Sequence, residues 1–198
     1  MNKIRIFKGE TIKRLAIVFS GASGVGKTTF VLKVAQNLIE SGFKVAVVKH
    51  DPGDKARFDK EGKDSFRYSQ IGADVAVVSP TRTSVFLKRG LFGGAERVGS
   101  EAHFEKREDF SNLNNSNLNR DLEELISHFG DFDYLLIEGL KFIPLPKIVI
   151  FRDEIKADFL PFASAVVSNL NYDFGVPAFG LEDVSGVIEW INNNAKKV

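Results

Sequence analysis

Two rhythms of apolar and polar positions alternate along the chain. Residues 15–20 (Leu-Ala-Ile-Val-Phe-Ser), 44–49, 73–79, 133–137, 147–151 and 163–167 are short, nearly continuous apolar runs. Runs of that length and density predict strands covered on both faces, as in a parallel sheet. Between them the spacing changes to that of a helix. Val31, Val34, Ala35 and Leu38 recur at i, i+3, i+4 and i+7, and Ser41-Gly42 follows with glycine in the usual place after a helix end. Val184, Val187, Ile188 and Ile191 mark a closing helix with Asp183 as its cap, and Leu118, Leu122, Leu125, Ile126 and Phe129 mark another that Gly130 ends. Residues 63–71 predict a short helix stopped by Gly72, residues 83–88 a strand antiparallel to its neighbour, and residues 3–7 an edge strand. Pro144 and Pro146 bracket a tight connection. Strand, helix and strand in succession predict an α/β fold, a mostly parallel sheet with helices on both faces.

One interval breaks the pattern. Residues 89–117 hold four glycines, many charges and the polar tract Ser111-Asn112-Leu113-Asn114-Asn115-Ser116-Asn117. That composition predicts a flexible insertion in a single domain spanning residues 1–198, with Phe92, Phe104 and Phe110 as anchors onto the body and a partner patch as their alternative.

The first strand runs into Gly21-Ala22-Ser23-Gly24-Val25-Gly26-Lys27-Thr28, and the loop opens the first helix. G-x-x-x-x-G-K-T between a strand and a helix is the P-loop pattern, which predicts a P-loop NTPase. Glycines allow a curl in which successive N–H groups converge on phosphate oxygens, and the helix N-terminus adds its positive end. Lys27 supplies charge for the terminal phosphates, the Thr28 hydroxyl suits Mg²⁺, and Thr29 completes a predicted nucleotide-binding set of residues 21–29. A dinucleotide site of the Rossmann kind has neither this glycine spacing nor a use for the Lys-Thr pair.

Composition narrows the class. Lysine and arginine total 27 against 26 acidic residues in 198, so no global field points to nucleic acid or a membrane surface. Absence of cysteine excludes disulfides, thiolate metal sites and thiol catalysis. No signal-peptide core or membrane-length apolar run occurs, which predicts a soluble, cytoplasmic protein.

Further candidates lie at other strand ends. Asp133-Tyr134-Leu135-Leu136-Ile137-Glu138-Gly139 delivers Glu138 to the sheet edge, where many P-loop proteins place an aspartate for Mg²⁺. Glutamate is one methylene longer, so Glu138 is predicted to act on Mg²⁺ through water or to orient the attacking water; capping the following turn is its structural alternative. Asp51, Asp54 and Asp59 occupy the loop after the second strand, and Asp51 is the proposed metal ligand among them; a solvated acidic loop is the alternative for each. His50, His103 and His128 are better explained structurally. Base recognition is less marked. Residues 155–158 (Ile-Lys-Ala-Asp) hold only part of the N/T-K-x-D guanine reader, and Ser168-Asn169 follow a strand at a place where a base edge can lie. No clear arginine finger stands out; Arg57, Arg67 and Arg152 are candidates, and an arginine from another chain is the alternative.

Taken together, residues 21–28, Lys49-His50, Asp59-Lys60-Glu61-Gly62-Lys63-Asp64-Ser65, Gly72-Ala73, Glu138-Gly139-Leu140-Lys141 and the run from Lys147 to Asp153 resemble the molybdopterin-guanine dinucleotide biosynthesis protein B (MobB) family. The P-loop alone is generic; D-K-x-G-K-D-S after K-H, with E-G-x-K and K-I-x-x-F-R later, is specific. The resemblance implies a GTP-binding adapter with weak GTPase activity in molybdenum cofactor biosynthesis. It also implies a homodimer whose partner is the guanylyltransferase that joins GMP to molybdopterin. Two features depart from the family. No paired histidine follows Lys49-His50, where the chain reads Asp51-Pro52-Gly53-Asp54, and the insertion at 89–117 is long. A rival on the same scaffold is an ATP-dependent small-metabolite kinase or ligase of the dethiobiotin synthetase type, with a second pocket lined by residues 59–67. Hydrolysis on the favoured reading uses Lys27 and Glu138 as the catalytic pair, with GTP and Mg²⁺ as ligands, and no nucleic acid or membrane partner.

Overall fold

The computed structural model describes residues 13–51, 64–79, 83–87, 123–124, 126–127 and 129–198. The expectations for residues 3–7 and 89–117, and for Asp54, Arg57, Asp59, His103 and His128, lie outside these residues.

The strands are β1 (Leu15–Ser20), β2 (Val45–His50), β3 (Asp74–Val78), β4 (Thr83–Phe86), β5 (Tyr134–Glu138), β6 (Lys147–Phe151), β7 (Ala165–Ser168), β8 (Ala178–Phe179) and β9 (Lys196–Lys197). They form one sheet in the order β4-β3-β2-β5-β1-β6-β7-β8, with β9 on β1. β1, β2, β3, β5, β6, β7 and β8 are mutually parallel, and β4 runs antiparallel to β3. Along β1, β5 takes one edge while β6 and β9 share the other. β6 begins opposite Val18, and β9 pairs with Leu15 and Ala16 below it. The α/β expectation is met, with strand limits shifted by one or two residues and β8 and β9 added.

Alternation along each strand sorts the core into layers. Ile17, Phe19, Val45, Val47, Tyr134, Leu136, Ile148 and Ile150 face α1 (Lys27–Glu40), α2 (Asp64–Gln70) and α3 (Val184–Asn194). Ala16, Val18, Ala46, Val48, Leu135 and Ile137 face away, against Ile126, Phe129, Phe132, Ile143 and Leu145. Helical residues 123–124 and 126–127 belong to that second face. A short 3-10 helix, Ala157–Phe162, packs Phe159 and Leu160 beside Phe151 and Val166.

The predicted helix faces are the buried ones: Val31, Val34, Ala35 and Leu38 in α1, Val187 and Ile191 in α3. Asp183 caps α3 by accepting from the Gly186 N–H at 2.9 Å. Pro146 contributes its carbonyl to the Val18 N–H at 3.1 Å, tying the proline connection to the P-loop strand. In that connection Lys147 is buried, and its ammonium donates to the carbonyls of Ile143 and Leu145. Burial holds its pKa below the ordinary lysine value.

Candidate functional site

The loop between β1 and α1 is a backbone curl that depends on glycine. Gly21, Gly24 and Gly26 have φ of 142°, 81° and 90°, a region L side chains rarely adopt. At Gly21 a Cβ would also lie 2.5 Å from the Ile150 carbonyl oxygen, so β6 leaves no room there for any side chain. At Gly24 the same position is open. The loop closes around Lys27, whose Nζ donates to the carbonyls of Gly21 at 2.9 Å and Ala22 at 2.6 Å.

Strand parity supplies the second half. Glu138 pairs with Phe19 of β1 on one side and with Lys49 of β2 on the other. Paired residues of parallel strands point to the same face, and Phe19 lies on the α1 face. Glu138 and Lys49 therefore leave the sheet toward the first turn of α1. Thr28 Oγ1 donates to Glu138 Oε1 at 2.6 Å, and Lys49 Nζ donates to the same Oε1 at 3.1 Å and to Thr28 Oγ1 at 3.2 Å. From α2, the Tyr68 hydroxyl donates to Glu138 Oε2 at 2.9 Å and lies 3.3 Å from the Thr28 carbonyl oxygen. Glu138 is 6% exposed and Tyr68 0%. Three donors on a buried carboxylate fix its orientation.

Above this network lies an open depression of about 360 Å³. Ser23, Gly24, Gly26, Lys27, Thr28 and Thr29 line it together with Lys49 and Glu138. Among its charged lining residues are two ammonium groups and one carboxylate, and the N-terminus of α1 opens onto it, so the site favours an anion. Burial holds the Lys27 pKa below the ordinary lysine value; attraction to Glu138 opposes that shift, and repulsion from Lys49 adds to it. The oxygen donors of Thr28 and Glu138 fit a hard divalent cation such as Mg²⁺.

The remaining sequence candidates fall at different distances from this centre. Gly21 and Ala22 take part through their carbonyls, and Val25 packs against the core while its carbonyl accepts from Arg152 Nε at 3.4 Å. Asp51 does not line the depression; its N–H donates to the Val78 carbonyl at 2.7 Å, on the β3 side of β2. His50 packs against Gly139, where a Cβ would come within 2.9 Å of His50 Cβ. Of the arginines, Arg152 reaches the loop and Arg67 lies in the last turn of α2. Asn169 Oδ1 accepts from the Asp153 N–H at 3.4 Å at the ends of β6 and β7, two strands from the loop. Among the described residues no group of three or more His, Cys, Asp or Glu side chains gathers as a metal cluster, and no helix is long and apolar enough to cross a membrane.

Lys49 entered the sequence reading only as part of the family resemblance, with no chemical role assigned, and Tyr68 did not enter it. A lysine closing an apolar strand was visible, but its pairing with Glu138 is a matter of register. Tyr68 gave no signal beyond its place in a short helix.

Comparison with known proteins places this arrangement. The family model described as "MobB: Molybdopterin guanine dinucleotide synthesis protein B" matches residues 16–110, which take in the P-loop, Lys49 and Tyr68. The molybdopterin-guanine dinucleotide biosynthesis adapter protein of Escherichia coli K12 is 27% identical over 186 residues, 88% of this chain and 92% of that relative. These matches make the chain similar to the MobB family. A putative adapter protein of the same description from Methanocaldococcus jannaschii is 28% identical over 160 residues. That match takes in 77% of this chain but only 54% of the archaeal relative, so the chain spans about half of its length. The crystal structure of Bacillus subtilis MobB superposes with a TM-score of 0.50 at 23% identity, covering 93% of this chain and 99% of that one. This likeness supports the fold, a P-loop NTPase with a mostly parallel sheet.

Proposed function

We propose that this protein is a GTP-binding adapter in the synthesis of the guanine dinucleotide form of molybdopterin, with slow hydrolysis of GTP to GDP and phosphate. The observation that carries the reading is the hydrogen bond from Thr28 to Glu138. It brings the first turn of the P-loop helix and the carboxylate of the neighbouring strand to one point beneath the phosphate cradle. The names of the relatives supply the pathway. The guanylyltransferase that transfers GMP to molybdopterin is the proposed partner. The adapter is proposed to work as a cytoplasmic homodimer, with molybdopterin as a further ligand.

The chain's own groups would act as follows. The loop N–H groups and the α1 N-terminus hold the β- and γ-phosphates in line. Lys27 leaves the carbonyls of Gly21 and Ala22 for phosphate oxygens. Thr28 offers its hydroxyl to Mg²⁺, and Glu138 holds the attacking water. Mg²⁺ held at Thr28 would supply positive charge against the phosphates. No described arginine lies within the phosphate depression, with Arg152 only at its rim. A site without an inserted arginine turns over on the order of 10⁻⁴–10⁻² per second. Such a pace suits a carrier or switch.

Competition calorimetry of GTP against ATP, each with Mg²⁺ and with or without molybdopterin, tests the reading. Preferred binding of GTP is the expected result. Equal affinity for both, or ATP turnover that one small metabolite raises many-fold, would favour the kinase or ligase alternative instead.

A further inference from the structure

The oxygens that suit a divalent metal already serve a cation. A hydroxyl has one proton and two lone pairs. Thr28 gives its proton to Glu138 Oε1, and one of its lone pairs faces Lys49 Nζ at 3.2 Å. The same ammonium lies 3.1 Å from Glu138 Oε1. Register enforces this placement, because Lys49 and Glu138 are direct partners across β2 and β5, and Glu138 is pinned from its other oxygen by Tyr68. Lys27 is engaged differently, on the carbonyls of the loop itself. A bare divalent ion approaching Thr28 and Glu138 therefore meets two ammonium groups and one carboxylate. In a partly dry site those repulsions are far stronger than in water. A triphosphate reverses the balance, since its oxygens bring several negative charges and offer Lys49 an alternative partner.

We propose that Lys49 gates the metal: its ammonium bars free divalent cations from Thr28 and Glu138, and transfers to the phosphates of an arriving nucleotide, so that metal enters only together with a nucleoside triphosphate. The proposal rests on the phosphate site assigned above and adds an order of events to it. It also gives Lys49 a role that a plain ion pair lacks. An ion pair needs only Glu138, whereas the gate requires the contact with Thr28 as well.

The experiment uses the full chain, with Mn²⁺ as the metal probe followed by electron paramagnetic resonance, and nucleotide binding followed by calorimetry in Mg²⁺ or in EDTA. Wild type should bind Mn²⁺ poorly without nucleotide. Lys49→Met should bind Mn²⁺ alone about tenfold or more tightly than wild type, and should lose about tenfold in nucleotide affinity in EDTA while losing less in Mg²⁺. Lys49→Arg, which keeps the charge, should behave as wild type in both arms. Lys49→Gln keeps a polar side chain without the charge, and replaces the methionine variant if that chain fails to melt cooperatively. Wild type that takes up Mn²⁺ alone as tightly as the uncharged variants would overturn the gate, and so would uncharged variants that leave the EDTA-to-Mg²⁺ affinity ratio unchanged. Failure of wild type to bind any triphosphate would instead remove the function proposed above, and the Mn²⁺ arm would still decide whether Lys49 excludes free metal.

Discussion

Thr28 Oγ1 and Glu138 Oε1 meet at 2.6 Å although the two residues lie 110 positions apart in the chain. The contact couples the first turn of α1 to the strand that holds the carboxylate. Glu138→Gln keeps the shape and a carbonyl oxygen for Thr28, but removes the negative charge opposite Lys49. If Glu138 serves hydrolysis more than binding, single-turnover GTP cleavage should slow about 10- to 100-fold. Calorimetric affinity for Mg·GTP should change much less. A variant that loses affinity while its bound GTP is cleaved at the wild-type rate would remove Glu138 from the catalytic pair.

Lys27 predicts a pH dependence. Its ammonium is destabilised mainly by burial, and a bound triphosphate would restore the charged form. The nucleotide complex thus holds its proton to higher pH than the free protein does. Binding should take up protons in that interval, and affinity should fall as pH rises through the depressed Lys27 pKa, beginning below the ordinary lysine range. Without ligand the sign reverses. The unfolded chain keeps this proton to higher pH than the folded one, so the penalty of burying the charge is fully present below the folded value and is relieved as pH rises from there to the ordinary lysine value. Lys27→Ala should abolish the alkaline fall in affinity, cost about 2–5 kcal/mol of Mg·GTP binding, and leave the ligand-free melting temperature no lower. Isothermal titration in buffers of different ionisation enthalpy measures the proton uptake. Unchanged affinity in Lys27→Ala would count against the phosphate cradle itself.

The parts of this site that the chain made legible are the local ones. A P-loop is contiguous, and a carboxylate ending the apolar run of β5 stands out because the residues before it are all apolar. What stayed hidden is set by register and by backbone. Lys49 is the last residue but one of β2 and reads much as a solvated lysine would; its pairing opposite Glu138, set by register, places it beside a carboxylate. Tyr68 sits in a seven-residue helix, too short for periodicity to single out its buried side. β9 consists of Lys196 and Lys197, both exposed, and it pairs with β1 through the main chain without an apolar pattern. Asp51 shows the converse. It stands in a strong sequence position, yet its N–H extends the β2–β3 ladder and its place is outside the depression.

Two glycines of one loop should answer differently to the same substitution. Both Gly21 and Gly24 hold positive φ, but a Cβ at Gly21 meets the Ile150 carbonyl at 2.5 Å, whereas one at Gly24 meets nothing. Gly24→Ala should cost about 1–2 kcal/mol from backbone strain alone. Gly21→Ala adds a collision with β6 that no rotamer can relieve, and should cost about 1–3 kcal/mol more. Urea unfolding of the two variants checks this, and equal midpoints would contradict the close approach of β6 to the loop.

Tyr68 ties α2 to the site, and its hydroxyl can be removed with little change of volume. Tyr68→Phe leaves Glu138 Oε2 without the donor now at 2.9 Å, in a place where the ring is fully buried. A hydrogen bond to a charged group contributes about 1.5–3 kcal/mol, so the variant should lose that much stability. For a chain of this size that corresponds to about 3–12 °C in melting temperature. A double-mutant cycle with Glu138→Gln separates this contact from general loosening of α2. If the hydroxyl acts through the carboxylate, the double variant should lose less than the two single losses combined, by 0.5 kcal/mol or more on the usual scale of coupled neighbours. Strict additivity would mean that Tyr68 stabilises α2 independently of Glu138, and the carboxylate would then be oriented by Thr28 and Lys49 without help from the helix.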